Sequence, residues 1–437
     1  MSAAKEAPPN RGEAGHTGEE VRSDLLVAVE LTDSGGIQVE MTSSIGKLYQ
    51  KSVEAAVAKV LGGLGVADAV VEIDDLGALP FTVEARIEAA ARAAGAGGRS
   101  LPETSLAVRQ RSARDALRRS RLYLPGSQPK FMINAGLHHP DAVILDLEDS
   151  VHPDDKPAAR VLVRNALRCI DFMGAERMVR INQLPLGLED LDEIVPQSPD
   201  LILIPKVEQS DEVTRVAEHI AALQEEEGGG EPIWIMPILE SALGIENAFD
   251  IVSAADTVVA LTIGLEDYTA DLGVVKSLDG SESWYARTRL VNAAKAAGVQ
   301  AIDSVFGDVE DLDGLASWAT ASRALGFEGM GCIHPRQIPV IHGAFAPSEI
   351  EIDKALAIVA AFEEAESEGL GVVSLGSKMI DPPVVLRAQR LVATARRSGL
   401  IADTAGGENR TTGVAVAGEA KAAGDGAGER GKSGGEQ

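Results

Sequence analysis

The sequence predicts an α/β fold: a (βα)₈ barrel with a small N-terminal α+β domain and a C-terminal helical extension. Between Arg121 and Phe345 the chain contains eight short apolar runs, separated by helix-length stretches. Parallel strands that are buried on both faces have this composition. Nearly every run ends on a polar or charged residue, and such barrels hold their functional groups at the carboxyl ends of the strands. The runs are Leu122–Leu124, Ala142–Leu145, Met178–Val179, Leu201–Pro205, Ile233–Leu239, Thr257–Ile263, Val299–Ile302 and Met330–Ile333.

A smaller domain precedes the barrel. We expect polar residues 1–20 to be disordered and residues 21–94 to fold. Two strands flank the Asp33–Gly36 turn, which predicts a β-hairpin. The predicted elements are strands at Leu25–Val29, Ile37–Met41 and Val66–Ile73, with helices at Lys47–Leu61 and Thr82–Ala94.

The remaining boundaries follow from composition. Residues 95–117 begin with a Gly/Ser/Pro-rich stretch and form a linker, and the barrel occupies residues 118–346. Residues 347–400 contain two helical segments, and residues 401–437 are rich in Gly, Ala and Glu without periodicity, which indicates a disordered tail. The two helical segments are Glu349–Glu368 and Pro383–Ser398.

Composition excludes several classes of function. The net charge of −27 argues against a nucleic-acid partner, because a phosphate backbone requires a basic surface. No apolar stretch approaches the roughly 18 residues of a membrane span. The chain has two cysteines, Cys169 and Cys332, so we do not expect a disulfide framework. This low cysteine content fits a reducing cytoplasm.

Two acids end neighbouring strands of the predicted barrel. Glu240 follows the fifth run, and Asp267 follows the sixth. Two carboxylates with water are an expected way to hold Mg²⁺. The alternative is that Glu240 caps a helix and Asp267 is a solvated loop residue.

Three cations are candidates for substrate binding. Arg180 ends the third run, and its planar guanidinium suits a carboxylate. Alternatively, Arg180 pairs with the acids of Asp146–Asp149 on the neighbouring strand. Lys206 ends the fourth run and is either a substrate-binding cation or a rim charge, and Lys130 is a further candidate.

Asp303 and His334 end the last two runs. A carboxylate among apolar neighbours tends to have a raised pKa, which suits Asp303 to acid/base work, although a loop-capping role is the simpler interpretation. His334 is interpreted as a packed, structural histidine. With Mg²⁺ and a carboxylate-binding arginine, this set fits cleavage or formation of a bond next to a carbonyl.

These motifs resemble the citrate lyase β-subunit and malyl-CoA lyase family of aldolases over about residues 118–395. The motifs occur in the order of that family at plausible spacings. The matching stretches are Arg119–Gly126, Asp146–Val151, Val179–Asn182, Ile204–Val207, Leu239–Ala242, Gly264–Tyr268, Ala301–Asp303, Cys332–Pro335 and Lys378–Asp381.

The resemblance implies a (βα)₈ barrel with Mg²⁺ held by Glu240 and Asp267. It implies that Arg180 binds the carboxylate of the keto acid and that Glu148 supports Arg180 and a metal-bound water. Asp303 would match the catalytic acid/base, which the family supplies from a neighbouring subunit. The segment Lys378–Asp381 would belong to a lid in a homo-oligomer, a trimer or hexamer.

The N-terminal domain resembles the citrate lyase γ-subunit, an acyl carrier. The matching stretches are Ser23–Val27, Gly77–Leu79 and Ala85–Ala90. That subunit carries a CoA-derived phosphopantetheine arm on a serine, usually two residues before the aspartate, where this chain has Arg22. Ser23 is the candidate attachment site. Alternatively, the domain is a degenerate carrier retained for oligomerisation or docking.

The resulting hypothesis is a cytoplasmic carbon–carbon lyase fused to an acyl carrier. It would cleave a citryl-type 3-hydroxy-acyl thioester to a 2-keto acid, such as oxaloacetate, and an acetyl thioester, with an acyl transferase α-subunit as a possible partner. One alternative is a malyl- or citramalyl-CoA lyase that uses free CoA thioesters and has an inert N-terminal domain. Another is a non-catalytic scaffold for the transferase.

Overall fold

The computed structural model describes residues 10–43, 49–104, 111–277, 279–367, 373–375 and 378–402. The chain divides into two compact units, Met1–Asp353 and Lys354–Gln437. The first unit contains the N-terminal domain and the barrel, and the second contains most of the C-terminal extension. The predicted tail from residue 403 onward, residues 1–9 and residues 105–110 of the linker lie outside the described residues.

The N-terminal domain is a four-stranded sheet with two helices packed against it. Alternate residues of its strands are buried, as at Leu25, Val27 and Val29, because successive side chains of a strand point to opposite faces. The elements are β1 (Arg11–Ala14), β2 (Leu25–Leu31), β3 (Ile37–Ser43), α1 (Gln50–Gly63), β4 (Ala69–Asp75) and α2 (Pro80–Ala93).

Two predictions for this domain are wrong. The strand order is β1-β2-β4-β3, so β4 lies between the two strands that were expected to form a hairpin. β4 pairs antiparallel with β2 and parallel with β3, so it is an inner strand of the sheet. The expected disorder of residues 1–20 is contradicted at Arg11–Ala14, which forms β1 and pairs with β2.

The eight-stranded barrel is confirmed. All eight apolar runs are strands, all pair in parallel, and the first closes on the last. Met178, Ile238 and Ile302 belong to the apolar layer inside the barrel, whereas the neighbouring side chains pack on the surrounding helices. The strands are β5 (Ser120–Pro125), β6 (Ala142–Asp146), β7 (Glu176–Arg180), β8 (Leu201–Ile204), β9 (Trp234–Leu239), β10 (Ala260–Ile263), β11 (Gln300–Asp303) and β12 (Gly329–Cys332).

Helices separate the strands of the barrel. Where helices follow a strand, they begin near its carboxyl end, so the loops at that end bring their polar residues together. The helices are α3 (Pro129–Met132), α4 (Lys156–Cys169), α5 (Leu186–Ile194), α6 (Ser210–Glu226), α7 (Ala242–Glu246), α8 (Ala248–Val252), α9 (Leu265–Leu272), α10 (Trp284–Ala297), α11 (Leu312–Leu325) and α12 (Gln337–Phe345).

Buried ion pairs join the N-terminal domain to the barrel. α2 packs against α4, and the fully buried Glu88 and Arg164 of these helices form an ion pair of 2.7 Å. Arg164 also pairs with Glu193 at 3.0 Å. Beside them, Arg86 binds Asp24 of its own domain and donates to the backbone oxygen of Ser127 in the barrel. These contacts fix the small domain to the barrel.

The C-terminal extension contains the two predicted helices. α13 (Glu349–Ser367) and α14 (Pro382–Arg397) flank a two-stranded antiparallel sheet of β13 (Val373–Leu375) and β14 (Lys378–Ile380). Their apolar faces form a separate core. Within the part of the chain that the structure describes, no helix is both long and apolar enough to cross a membrane.

Candidate active site

A cavity of about 450 Å³ opens at the carboxyl ends of the barrel strands. Residues of β5, β6, β7, β9 and β10 line it, together with the loops that follow β6, β9, β10, β11 and β12. Among the predicted site residues, the structure brings Arg180, Glu240 and Asp267 to this cavity. The position agrees with the place where (βα)₈ barrels carry their chemistry.

A larger cavity of about 560 Å³ lies at the opposite end of the barrel. Two of the acids that line it are already paired, Asp141 with Arg119 and Glu176 with Arg118. Its acids therefore maintain the fold, and the cavity at the carboxyl ends is the better candidate for chemistry.

Glu240 is a buried carboxylate without a hydrogen-bond partner in the described structure. It is 5% exposed, and its Oε2 atom accepts no hydrogen bond. Burial, followed by the negative charge of Asp267, raises the pKa of Glu240 to about 9. An uncompensated carboxylate of this kind is costly, and a bound cation would remove that cost.

Glu240 and Asp267 together fit Mg²⁺. Asp267 lies in the first turn of α9, and half of its side chain is exposed. Among the described residues, no group of three or more His, Cys, Asp or Glu side chains converges as a metal site. Mg²⁺ is commonly held by one or two carboxylates with several waters, so the pair and the open cavity beside it suit this ion.

Gly264 leaves the space that the Glu240 side chain occupies. A Cβ atom at Gly264 would lie 2.7 Å from Cγ of Glu240. Gly264 has an ordinary negative φ of −106°, so the lack of a side chain matters here for contact and not for backbone conformation. The strand end and the α9 turn therefore fix where the buried carboxylate lies.

Arg180 is held in place by acids. Its Nε and Nη2 atoms donate to the two oxygens of Asp146 at 2.6 and 2.8 Å, and Nη1 lies 3.0 Å from Glu148. Although burial opposes the charge, the hydrogen bonds to Asp146 raise the pKa of Arg180. The structural partnership with the acidic cluster is therefore present, and it orients the guanidinium at the cavity.

Glu148 links Arg180 to Lys206. The Lys206 ammonium donates to Oε1 of Glu148 at 3.1 Å, to Asp149 at 3.4 Å, and lies 4.0 Å from Asp267. Burial, and then the hydrogen bond with Asp149, raise the pKa of Glu148. Lys206 thus stands among the acids of the site and is more than a rim charge.

Asp303 does not lie in the cavity. Its carboxylate is fully buried, accepts hydrogen bonds from Arg287 and Ser322 at 2.5 Å each, and accepts the backbone N–H of Ser304. The neighbouring Ser304 and Val305 line the cavity instead. The structure therefore does not support proton transfer by Asp303 in this cavity, because its carboxylate is enclosed and ion-paired outside the cavity.

Lys130 is also placed differently from the prediction. It lies on α3 and lines a smaller cavity of about 230 Å³ between the N-terminal domain and the barrel, together with His16, Arg22 and Asp24. Substrate binding by Lys130 in the barrel cavity is therefore not supported. His334 accepts the backbone N–H of Arg336, which agrees with its structural interpretation.

The sequence interpretation missed Arg121. This residue lies near the start of β5 and also lines the barrel cavity. The sequence offered one signal for it: Arg121 lies two residues before Tyr123, so both side chains lie on the face of the strand that points into the barrel.

Residues 119–335 match the model of the HpcH/HpaI aldolase/citrate lyase family. The citrate lyase subunit beta of Leuconostoc mesenteroides subsp. cremoris is 38% identical over 292 residues, which are 66% of this chain and 96% of that protein. The chain belongs to this family. As a member of the HpcH/HpaI aldolase/citrate lyase family, it is a carbon–carbon lyase.

Two further relatives describe the range of the family. The mitochondrial citramalyl-CoA lyase of Homo sapiens is 33% identical over 64% of this chain and 85% of its own length. The crystal structure of the protein CitE from Mycobacterium tuberculosis, in complex with magnesium, acetoacetate and coenzyme A, is 30% identical with a TM-score of 0.53. It covers 66% of this chain and 100% of that chain.

The N-terminal domain has a match of its own. Residues 13–94 match the model described as ACP, malonate decarboxylase delta subunit (MdcD). The lyase barrel and an acyl-carrier-like domain are therefore parts of one chain, and the buried ion pairs described above join them.

We expect Asp303→Asn to destabilise the protein and to leave the chemistry of this lyase nearly unchanged. Loss of the charge leaves Arg287 buried without its counter-ion, which costs about 3 kcal/mol. Chemical denaturation would measure that loss, and kcat/KM of the folded variant should stay within about threefold, since Asp303 lies outside the cavity. Asp308→Asn, in the exposed loop that follows, is the control. A hundredfold fall in kcat at unchanged stability would restore the catalytic assignment.

Proposed function

We propose that this chain is a Mg²⁺-dependent lyase that cleaves a citryl-type 3-hydroxy-acyl thioester to a 2-keto acid and an acetyl thioester. The observation that carries the proposal is the buried, unpartnered carboxylate of Glu240 beside Asp267 at the mouth of a citrate lyase family barrel. The protein CitE of Mycobacterium tuberculosis, crystallised with magnesium, acetoacetate and coenzyme A, supports a site that combines a metal, a keto acid and the coenzyme A of a thioester substrate.

Glu240 and Asp267 would hold the metal. Mg²⁺ bound there would supply a positive charge that polarises the oxygen of a keto or hydroxy acid. Arg180 and Lys206 add positive charge on the same side of the cavity. Together these positive groups would stabilise the negatively charged keto acid that forms when the carbon–carbon bond breaks.

Arg180 is assigned to the carboxylate of the keto acid. Asp146 fixes the plane of its guanidinium through two hydrogen bonds, and the remaining Nη1 edge faces Glu148 and Asp149. A bound carboxylate would take the place of one of these acids at that edge. Glu148 is assigned a positioning role, because it holds both Arg180 and Lys206.

Ser23 is the proposed attachment site for a phosphopantetheine-type arm. It has a left-handed φ of 58° and lies in the loop before β2, next to Asp24, which is tied to Arg86. This loop docks beside residues that follow the carboxyl end of β5, on the side of the barrel where the cavity opens. Because the domain is fixed by buried ion pairs, the arm would carry the acyl group to the barrel.

Intact mass and a panel of thioesters test the proposal together. We expect protein from its native source to carry an added mass on Ser23 that Ser23→Ala abolishes, and to cleave a citryl thioester only with Mg²⁺. Unmodified protein that cleaves malyl- or citramalyl-CoA would favour the alternative of a lyase for free CoA thioesters, as in the human relative. Failure to cleave any of these thioesters would reject the proposal.

Mg²⁺ binding should strengthen as the pH rises. The folded pKa of Glu240 is about 9, above its usual value of 4.5, so the folded protein holds a proton that Mg²⁺ must displace. We expect the apparent Mg²⁺ affinity to rise about tenfold per pH unit below pH 9, as for the release of one proton. Without metal, the free energy of unfolding should fall as the pH rises from 4.5 toward 9, because the unfolded chain loses the Glu240 proton over this range and the folded protein keeps it. Below pH 4.5 the group is protonated in both states, and this loss is absent.

Thermal denaturation with titrated Mg²⁺ between pH 6 and pH 9 measures both effects. Glu240→Gln is the control, because its amide does not titrate and should remove the pH slope. A wild-type affinity that does not change over this range would contradict the assignment of Glu240 as the ligand.

A further inference from the structure

Arg121 is a buried cation that has no acidic partner among the described residues. It is 1% exposed, and it forms no ion pair with any of their carboxylates. Its Nη2 donates to Thr262 at 2.9 Å and to the backbone oxygen of Asp303 at 3.5 Å, and Nη1 lies 3.0 Å from the sulfur of Met236. Its Nε has no hydrogen-bond partner in the described structure. A guanidinium with five N–H donors is therefore poorly satisfied.

The other buried arginines near the barrel are paired. Arg118, two residues before the start of β5, binds Glu176 and Gln300. Arg180 binds Asp146 and Glu148. Burial lowers the pKa of Arg121, which reflects the missing counter-charge. Burying an unpaired charge destabilises a fold, so a residue of this kind is expected where a ligand supplies the opposite charge.

The guanidinium lies at the floor of the barrel cavity. Arg121 and Thr262, its hydrogen-bond partner, both line that cavity. Thr262 of β10 pairs with Ile238 of β9, and Glu240 follows Ile238 by two residues. Two residues of strand rise by roughly 7 Å, so the donors of Arg121 lie about one layer below the proposed metal ligand.

We propose that Arg121 is the residue that binds the second carboxylate of the keto acid and thereby determines the preference for a dicarboxylic acid that a citryl-type substrate requires. This inference rests on the proposed function, in which one end of the keto acid lies at Glu240, Asp267 and Arg180. A second carboxylate about one layer deeper meets the guanidinium of Arg121, whose free donors suit it. A monocarboxylic keto acid leaves those donors unsatisfied, and unpaired buried groups are a strong source of discrimination.

The experiment compares oxaloacetate with pyruvate, which lacks the second carboxylate. Freshly dissolved acids are titrated calorimetrically into the full chain at fixed Mg²⁺. We expect wild-type protein to bind oxaloacetate at least tenfold more tightly than pyruvate, and Arg121→Met to bind the two within threefold of each other. Equal affinities for the wild type, or an unchanged preference in Arg121→Met, would overturn the proposal.

Thermal denaturation separates recognition from a structural role. Without ligand, Arg121→Met should melt at the same temperature as wild type or higher, because an unpaired buried charge has been removed. Arg118→Met is the matched control: it leaves Glu176 buried without its partner, so it should melt lower and keep the preference for oxaloacetate. If Arg121→Met does not fold, Arg121→Gln replaces it in both measurements.

The two proposals fail in different ways. Absence of lyase activity on every thioester, with an Arg121-dependent preference for oxaloacetate, would reject the reaction and retain the site. Lyase activity with no such preference would retain the reaction and reject the role of Arg121.

Discussion

Asp267→Ala should abolish the Mg²⁺-dependent lyase activity, with kcat/KM falling by about a thousandfold or more. That factor corresponds to about 4 kcal/mol of transition-state stabilisation, within the range that a metal ion supplies. The loss arises because Glu240 alone offers one carboxylate with a raised pKa, which is a weak ligand at neutral pH. Kinetics over a Mg²⁺ titration, with calorimetric Mg²⁺ binding, would measure the effect.

The fold should tolerate this substitution. The Asp267 side chain is about half exposed, and its nearest cation, Lys206, keeps Glu148 and Asp149 as partners. Glu266→Gln is the matched control, because Glu266 lies in the same first turn of α9 and pairs with Lys276. We expect the control to keep its Mg²⁺ affinity. Full activity of Asp267→Ala without added metal would refute the metal role.

Arg164→Met should cause the largest loss of stability, about 3–5 kcal/mol. The substitution removes one of the two arginines that pair with Glu88, which is completely buried between α2 and α4 and keeps only Arg92, and it removes one of the partners of Glu193. Removing one member of a buried ion-pair network leaves buried negative charge with less compensation, and such losses cost about that amount. Urea denaturation would measure the loss, and limited proteolysis should cut residues 95–104 faster as the N-terminal domain loosens from the barrel.

Two further variants test the interpretation. Arg336→Met removes an exposed ion pair with Glu310 and should cost less than about 1 kcal/mol. Adding Glu88→Gln to Arg164→Met should recover part of the lost stability, since the buried negative charge is also removed. A loss below 1 kcal/mol for Arg164→Met would show that the pair does not hold the two domains together.

The alternation of side chains along a strand explains which of the predicted site residues reach the cavity. Met178, Ile238 and Ile302 point into the barrel, so residues two positions later do the same, as Arg180 and Glu240 do. Asp303 directly follows Ile302 and therefore points outward, where Arg287 binds it. The same rule places Arg121 inside the barrel with Tyr123. The alternation could therefore have shown from the sequence that Asp303 points away from the cavity and that Arg121 points into it.

The hairpin prediction failed for a different reason. The turn at Asp33–Gly36 is a local signal, and it does end one strand and precede the next. Pairing, however, also depends on strands that are distant in the sequence. β4, more than 30 residues after the turn, pairs along both of its edges and separates β2 from β3.

The sequence by itself determined the barrel, the order of its strands and the acids and arginine at their ends. These follow from short-range periodicity, which fixes secondary structure and brings strand ends to one face. Only the tertiary structure decided which charges meet, because partners such as Glu88 and Arg164 are 76 residues apart and share no local pattern. For the same reason it decided that Asp303 is enclosed, that Glu240 lacks a partner in the described structure, and that Arg121 lies unpaired beneath it.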